Sequence, residues 1–82
     1  MNIKILGTGC AKCQRLEALV REAAEAQGLA PAIEKVTEVR DIMSYGVMQT
    51  PGLVIDGKLK LSGRVATRTE IAAWLQEAAA QS

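Results

Sequence analysis

The feature that most constrains this chain is a change from strand pattern to helix pattern at the point where two cysteines stand. Residues 2–6 alternate loosely like a short strand, and Gly7-Thr8-Gly9 breaks the pattern. From Ala11 to about Gln27 the spacing is helical, and the apolar side is formed by Leu16, Leu19, Val20, Ala23 and Ala26 or Gln27. Because a further strand follows, we expect a parallel strand pair with a right-handed crossover.

The middle of the chain predicts short elements separated by turn residues. Strands are expected at 33–36, 53–55 and 58–61, and a short helix is expected over 38–45 with Val39, Ile42 and Met43 facing inward. Asp56-Gly57 is a strong two-residue hairpin signal, so the last strand should return antiparallel.

The last element is predicted to be a capped amphipathic helix. Thr67 and Glu70 have the spacing of a capping box, and one apolar stripe contains Ile71, Trp74, Leu75 and Ala78. The predicted order is therefore β-α-β-α-β-β-α.

Composition limits both the domain organisation and the partners. The 82 residues suffice for one compact domain, residues 1–82, and are too few for two. Hydrophobic residues make up 49% and aromatic residues only 2%, so aliphatic side chains and alanine must build the core. A net charge of +1 without a basic tract argues against a nucleic-acid partner.

The sequence contains no apolar stretch long enough for a signal peptide or a membrane span. We therefore expect no membrane association and a cytoplasmic location. In that compartment a lone cysteine pair is more typical of catalysis, redox sensing or metal binding than of a structural cross-link.

The position of Cys10 and Cys13 has a direct chemical consequence. Unpaired N–H groups and the positive dipole end at a helix start favour a thiolate, so Cys10 should be acidic and accessible. Cys13, one turn further, should be more buried, and the spacing allows the two sulfurs to form a disulfide. Lys12 is either a positive charge that lowers the Cys10 pKa further or an ordinary solvated lysine. Core packing of two small side chains is the alternative, and the flanking glycines and charged helix face argue against it.

Two segments resemble the thioredoxin superfamily, and within it the very small bacterial and archaeal redox-active disulfide proteins. They are Ile5-Leu6-Gly7-Thr8-Gly9-Cys10-Ala11-Lys12-Cys13 and Tyr45-Gly46-Val47-Met48-Gln49-Thr50-Pro51-Gly52-Leu53-Val54-Ile55-Asp56-Gly57-Lys58. The resemblance implies a three-layer α/β/α fold with a four-stranded mixed sheet. It also implies a thiol–disulfide oxidoreductase, acting as a protein-disulfide reductase or an electron carrier, that needs no cofactor.

The same resemblance assigns roles to individual residues. Cys10 corresponds to the nucleophilic cysteine and Cys13 to the resolving one. Pro51 matches a cis-proline that faces the disulfide and leaves the Thr50 backbone available to an extended substrate, and an ordinary trans-proline is the alternative. Gly63 resembles a glycine that lets partners approach closely. The implied partners are a disulfide-containing protein or small molecule and a reductase that the sequence does not identify.

The chain departs from full-size thioredoxins near the cysteines. Gly9 replaces a tryptophan, Ala11-Lys12 replaces Gly-Pro, and an ungapped count places Lys4 where those proteins have a buried acid. These departures leave the redox potential, the reductase and the substrates open.

A second class of protein also fits the cysteine spacing. A Cu(I) metallochaperone carries Gly-x-x-Cys-x-x-Cys between its first strand and helix, as at Gly7 to Cys13. Such a domain should end on a strand, whereas this chain is predicted to end on a helix. A closed zinc site would need more ligands than two cysteines. A binding module without redox activity is disfavoured by the presence of both cysteines.

Overall fold

The computed structural model describes residues 1–81 and has the predicted element order. The helices and strands are β1 (Asn2–Leu6), α1 (Ala11–Ala26), β2 (Ala32–Val36), α2 (Val39–Ser44), β3 (Gly52–Ile55), β4 (Lys58–Ser62) and α3 (Arg68–Ala80). Within residues 1–81, no helix has both the length and the apolar character needed to cross a membrane.

The strands form one mixed sheet in the order β2-β1-β3-β4. β1 and β2 are parallel, as the crossover predicts, and β3 is antiparallel to both β1 and β4. Asp56 and Gly57 have φ angles of 49° and 81°, the positive values that a two-residue hairpin turn requires. The four-stranded mixed sheet is therefore confirmed.

Helices cover both faces of the sheet. On one face, α1 and α3 pack on β1, β3 and β4 around a buried aliphatic cluster that includes Leu16, Ile71 and Leu75. On the other face a smaller cluster contains Leu6, Ile42, Val47 and Val54. The predicted three-layer α/β/α arrangement of the thioredoxin-like fold is confirmed, and the core is aliphatic, with Tyr45 and Trp74 only partly buried at its borders.

The predicted inward faces of two helices need correction. Val39 and Met43 were expected to face inward, but they are 59% and 55% exposed, and only Ile42 of α2 is buried. A helix of six residues is too short for its spacing to define one apolar face. In α1 the buried residue near the end is Ala24, whereas Ala26 is exposed. The reason is that the buried stripe runs at i+4 spacing from Leu16 through Val20 to Ala24.

The start of α3 is fixed by the predicted capping box. The Glu70 N–H donates to the Thr67 hydroxyl at 3.1 Å, and the Thr67 N–H donates to the Glu70 carboxylate at 3.0 Å. Arg64 donates two further hydrogen bonds to the same carboxylate, at 2.9 and 2.7 Å. These bonds, Arg64 first and Thr67 next, lower the Glu70 pKa to about 2.

This lowered pKa predicts a pH dependence of stability. The folded-state pKa of Glu70 lies below the ordinary 4.5, so its contribution to the free energy of unfolding is complete above pH 4.5. That contribution should be lost as the pH falls from 4.5 towards 2. Denaturant unfolding across this range measures it, with Glu70→Gln as the matched variant. Equal pH slopes for the two proteins in that range would contradict the assignment.

Candidate redox site

Cys10 and Cys13 are joined by a disulfide at the start of α1, with their Cα atoms 5.1 Å apart. Cys10 is the N-cap residue and is exposed, and its sulfur accepts a hydrogen bond from the Cys13 N–H at 3.3 Å. Cys13 is buried, with 5% of its surface exposed. One sulfur therefore faces solvent at the positive end of a helix, and the other faces the interior, as expected from the spacing.

Gly7 makes room for the Cys13 sulfur. A Cβ atom on Gly7 would overlap Cys13 Sγ, and the Gly7 N–H donates to the Val36 carbonyl at 2.9 Å, which holds its backbone in place. The sequence indicated only that Gly7 permits a tight turn. The structure shows a steric requirement, because no side chain fits between this backbone and the buried sulfur.

The loop that contains Thr50 and Pro51 lies beside the cysteines. β1 pairs with β3 so that Leu6 is opposite Gly52, which places the ends of both loops together. Thr50 Cβ is 3.8 Å from the position that a Gly7 Cβ would occupy. The Thr50–Pro51 bond is cis, as the sequence predicts, and Pro51 is buried.

Of the other two residues predicted for the site, Gly63 is bonded to this loop, and Lys12 lies on α1. The Gly63 N–H donates to the Pro51 carbonyl at 2.9 Å, and Gly63 has a φ of 85°, which favours glycine. The Gln49 side chain lies against Gly63, within 3.0 Å of where a Cβ would stand. Lys12 is exposed in the first turn of α1, and its influence on Cys10 stays a prediction.

Lys4 belongs to a polar cluster on the α2 side of the sheet. It stands between Ile3 and Ile5, which pack on the opposite side with α1 and α3. Lys4 Nζ donates to the Tyr45 hydroxyl at 2.8 Å, which raises the pKa of Lys4, and it lies 3.9 Å from a carboxylate oxygen of Glu34. The position six residues before Cys10 thus holds a cation bound to a tyrosine.

A small cavity of about 90 Å³ adjoins Cys13. Its lining includes the ionisable side chains of Glu17 and Lys35 together with Gly7 and Cys13. The Glu17 carboxylate accepts hydrogen bonds from Arg21 at 2.9 Å and from Lys35 at 3.1 Å. Burial would raise the Glu17 pKa, but the bonds from Arg21 and Lys35 outweigh it and leave the pKa lowered. The Glu17–Arg21 pair has the i,i+4 spacing that the sequence indicates. The position of Glu17 and Lys35 at the cavity beside Cys13 was not predicted. The available signal was the position of Glu17 four residues after Cys13, on the same helix face.

An apolar groove, here called the α2 groove, borders the other side of the cysteine loop. It encloses about 270 Å³ and is lined by Thr8, Val39, Ile42, Met43, Val47, Met48 and Thr50. Met48 is 83% exposed at its edge. Thr8 and Thr50 connect the groove to the two loops that hold the disulfide and the cis-proline.

The fold and the site together define a class of protein. A dithiol pair at the start of the first helix, on a four-stranded mixed sheet and beside a cis-proline loop, is typical of thiol–disulfide oxidoreductases. Comparison with known proteins agrees, because residues 1–76 match the model of the Thioredoxin domain family. The chain belongs to this family.

Two curated archaeal relatives are similar over most of the chain. A protein named thioredoxin from Methanothermobacter thermautotrophicus is 48% identical over 71 residues, which cover 87% of this chain and 92% of the relative. A thioredoxin from Methanocaldococcus jannaschii is 38% identical over 69 residues, covering 84% of this chain and 79% of the relative. These matches support thiol–disulfide oxidoreductase activity at a general level.

Proposed function

We propose that this protein reduces disulfides in proteins or small molecules by using Cys10 as the nucleophile and Cys13 as the resolving thiol. The observation that carries the proposal is the unequal environment of the bonded pair, with an exposed Cys10 at a helix N-cap and a buried Cys13. The exposed sulfur can reach a substrate, and the buried one is protected from a second substrate.

The exchange proceeds in two steps that balance. The Cys10 thiolate attacks a substrate disulfide, forms a mixed disulfide and releases the first substrate thiol. Cys13 then attacks Cys10 Sγ, which forms the Cys10–Cys13 bond and releases the second substrate thiol with the electron pair. A separate reductase must return two electrons to the protein before the next cycle.

The surfaces beside the disulfide support an extended partner. The backbone of Thr50 lies next to the cysteine loop and can pair with a substrate strand, while Pro51 offers no competing N–H. The α2 groove would accept an apolar side chain of the same partner. The cytoplasmic location stays a prediction.

The fold favours this function over Cu(I) delivery. Helix α3 packs with α1 on one face of the sheet, and residues 1–76 match the Thioredoxin domain family. The Thr50–Pro51 loop beside the cysteine loop has a use in disulfide exchange, because its backbone can pair with an extended substrate, and it has none in metal delivery.

Thiol reactivity tests the proposal directly. Mild oxidation should remove both thiols together, and dithiothreitol should restore both. In the reduced protein Cys10 should be alkylated faster than Cys13 below neutral pH, because only Cys10 lies at the exposed helix cap. Mass spectrometry of partially alkylated protein identifies the modified residue. Persistence of both thiols after oxidation, or faster modification of Cys13, would refute the proposal.

A further inference from the structure

The buried position of Cys13 raises the question of where its proton goes. In the second step of the proposed exchange Cys13 must attack as a thiolate, but its side chain is nearly inaccessible to bulk water. Burial in apolar surroundings disfavours a thiolate, so the step needs a nearby proton acceptor.

The cavity beside Cys13 connects its sulfur to such a group. A volume of about 90 Å³ is enough to hold water, and its lining includes polar groups that water can bind. Glu17 lies on the same helix face as Cys13, four residues later, and lines the same cavity. Among the residues that line the cavity, Glu17 supplies a carboxylate, which can accept a proton.

The groups around Glu17 hold its carboxylate at the cavity. Arg21 binds it from α1 and Lys35 binds it from β2, so a helix and the neighbouring strand fix its position. The two cations keep Glu17 ionised throughout the pH range in which a thiol titrates. Gln14 and Thr37 complete the polar part of the lining and carry no charge.

We propose that Glu17 accepts the proton of Cys13 through water in this cavity. The proposal rests on the proposed function and extends its second step. The proton moves from Cys13 Sγ through water to the Glu17 carboxylate. The resulting thiolate forms a bond to Cys10 Sγ, and the bond between Cys10 and the substrate sulfur breaks. The substrate leaves as a thiolate that takes a proton from solvent, and Glu17 returns its own proton to solvent.

A two-phase release assay separates this step from the first one. Reduced protein is mixed with one equivalent of dithiobis(nitrobenzoate), so that attack by Cys10 releases one coloured thiolate and attack by Cys13 releases the second. Glu17→Gln preserves the size of the side chain and removes its proton-accepting charge. Glu22→Gln is the matched control, because it makes the same substitution on the same helix, in a carboxylate that pairs with Arg68 and does not line the cavity.

The second phase of Glu17→Gln should be slower by about tenfold near neutral pH, less than the effect of a directly positioned base because water relays the proton. The first phase should match that of the unmodified protein. The difference between the two proteins should narrow as the pH rises through the thiol pKa, since Cys13 then ionises without help. Glu22→Gln should match the unmodified protein in both phases.

Other results would overturn the assignment of Glu17. An unchanged or faster second phase in Glu17→Gln would exclude proton acceptance. An equal loss in both phases, or an equal loss in Glu22→Gln, would indicate a structural role. Failure of the proposed function looks different, because the unmodified protein would then release only one thiolate and form no Cys10–Cys13 bond.

Discussion

Replacing Cys10 with serine is expected to abolish disulfide reduction, because a serine hydroxyl is not an effective nucleophile towards sulfur at neutral pH. Replacing Cys13 with serine should leave the first attack intact and stop the second. The Cys13→Ser protein should therefore accumulate a mixed disulfide with its substrate and show no turnover.

Insulin reduction provides the turnover measurement, and non-reducing electrophoresis with mass spectrometry detects the mixed disulfide. The double variant Cys10→Ser/Cys13→Ser is the control for nonspecific thiol chemistry and should be inactive without trapping substrate. Trapping by Cys10→Ser instead of Cys13→Ser would reverse the roles of the two residues. Full turnover in either single variant would exclude the two-step mechanism.

Replacing Gly7 with alanine is expected to lower the free energy of unfolding by about 1–3 kcal/mol, the usual cost of overpacking a buried position. The added Cβ would overlap Cys13 Sγ, and the Gly7 backbone cannot easily retreat while it is bonded to Val36. Since the displaced atom is one of the two reacting sulfurs, closure of the Cys10–Cys13 bond should also be impaired. Denaturant unfolding under reducing conditions and the rate of disulfide closure measure the two effects.

A double-mutant cycle identifies the sulfur as the cause. In a Cys13→Ala background the overlapping atom is absent, so Gly7→Ala should cost much less than in the unmodified protein. The cycle is evaluated in dithiothreitol, so that loss of the disulfide itself does not enter the comparison. An equal cost in both backgrounds would show that the backbone of Gly7, and not the neighbouring sulfur, requires glycine.

Local sequence signals account for most of the fold. The Asp56-Gly57 turn, the Thr67–Glu70 capping box and the helical spacing after Cys10 each depend on neighbouring residues, and each appears as predicted. The predicted inward face of α2 was wrong, because a helix of six residues is too short for its spacing to define an apolar stripe. Its orientation depends instead on how Ile42 packs with Leu6 and Val54 across the sheet.

The site was predictable only where its residues are marked by a motif. Cys10, Cys13 and Pro51 stand in recognisable segments, and the structure places their two loops side by side. The cavity that joins Cys13 to Glu17 and Lys35 depends on the packing of α1 beside β2, and no short-range pattern reports such packing. The steric role of Gly7 could not be predicted either, because it depends on where the folded chain places the Cys13 sulfur.

The antiparallel pairing of β1 with β3 means that the cysteine loop and the cis-proline loop leave the sheet at the same end. A chain that has not yet formed this pairing carries both cysteines, but they are not held beside the Thr50–Pro51 loop. We expect the two cysteines of such a chain to react as ordinary peptide thiols. The exchange proposed for this protein therefore requires the centre of the sheet to be formed, because β1 and β3 together hold both loops in place.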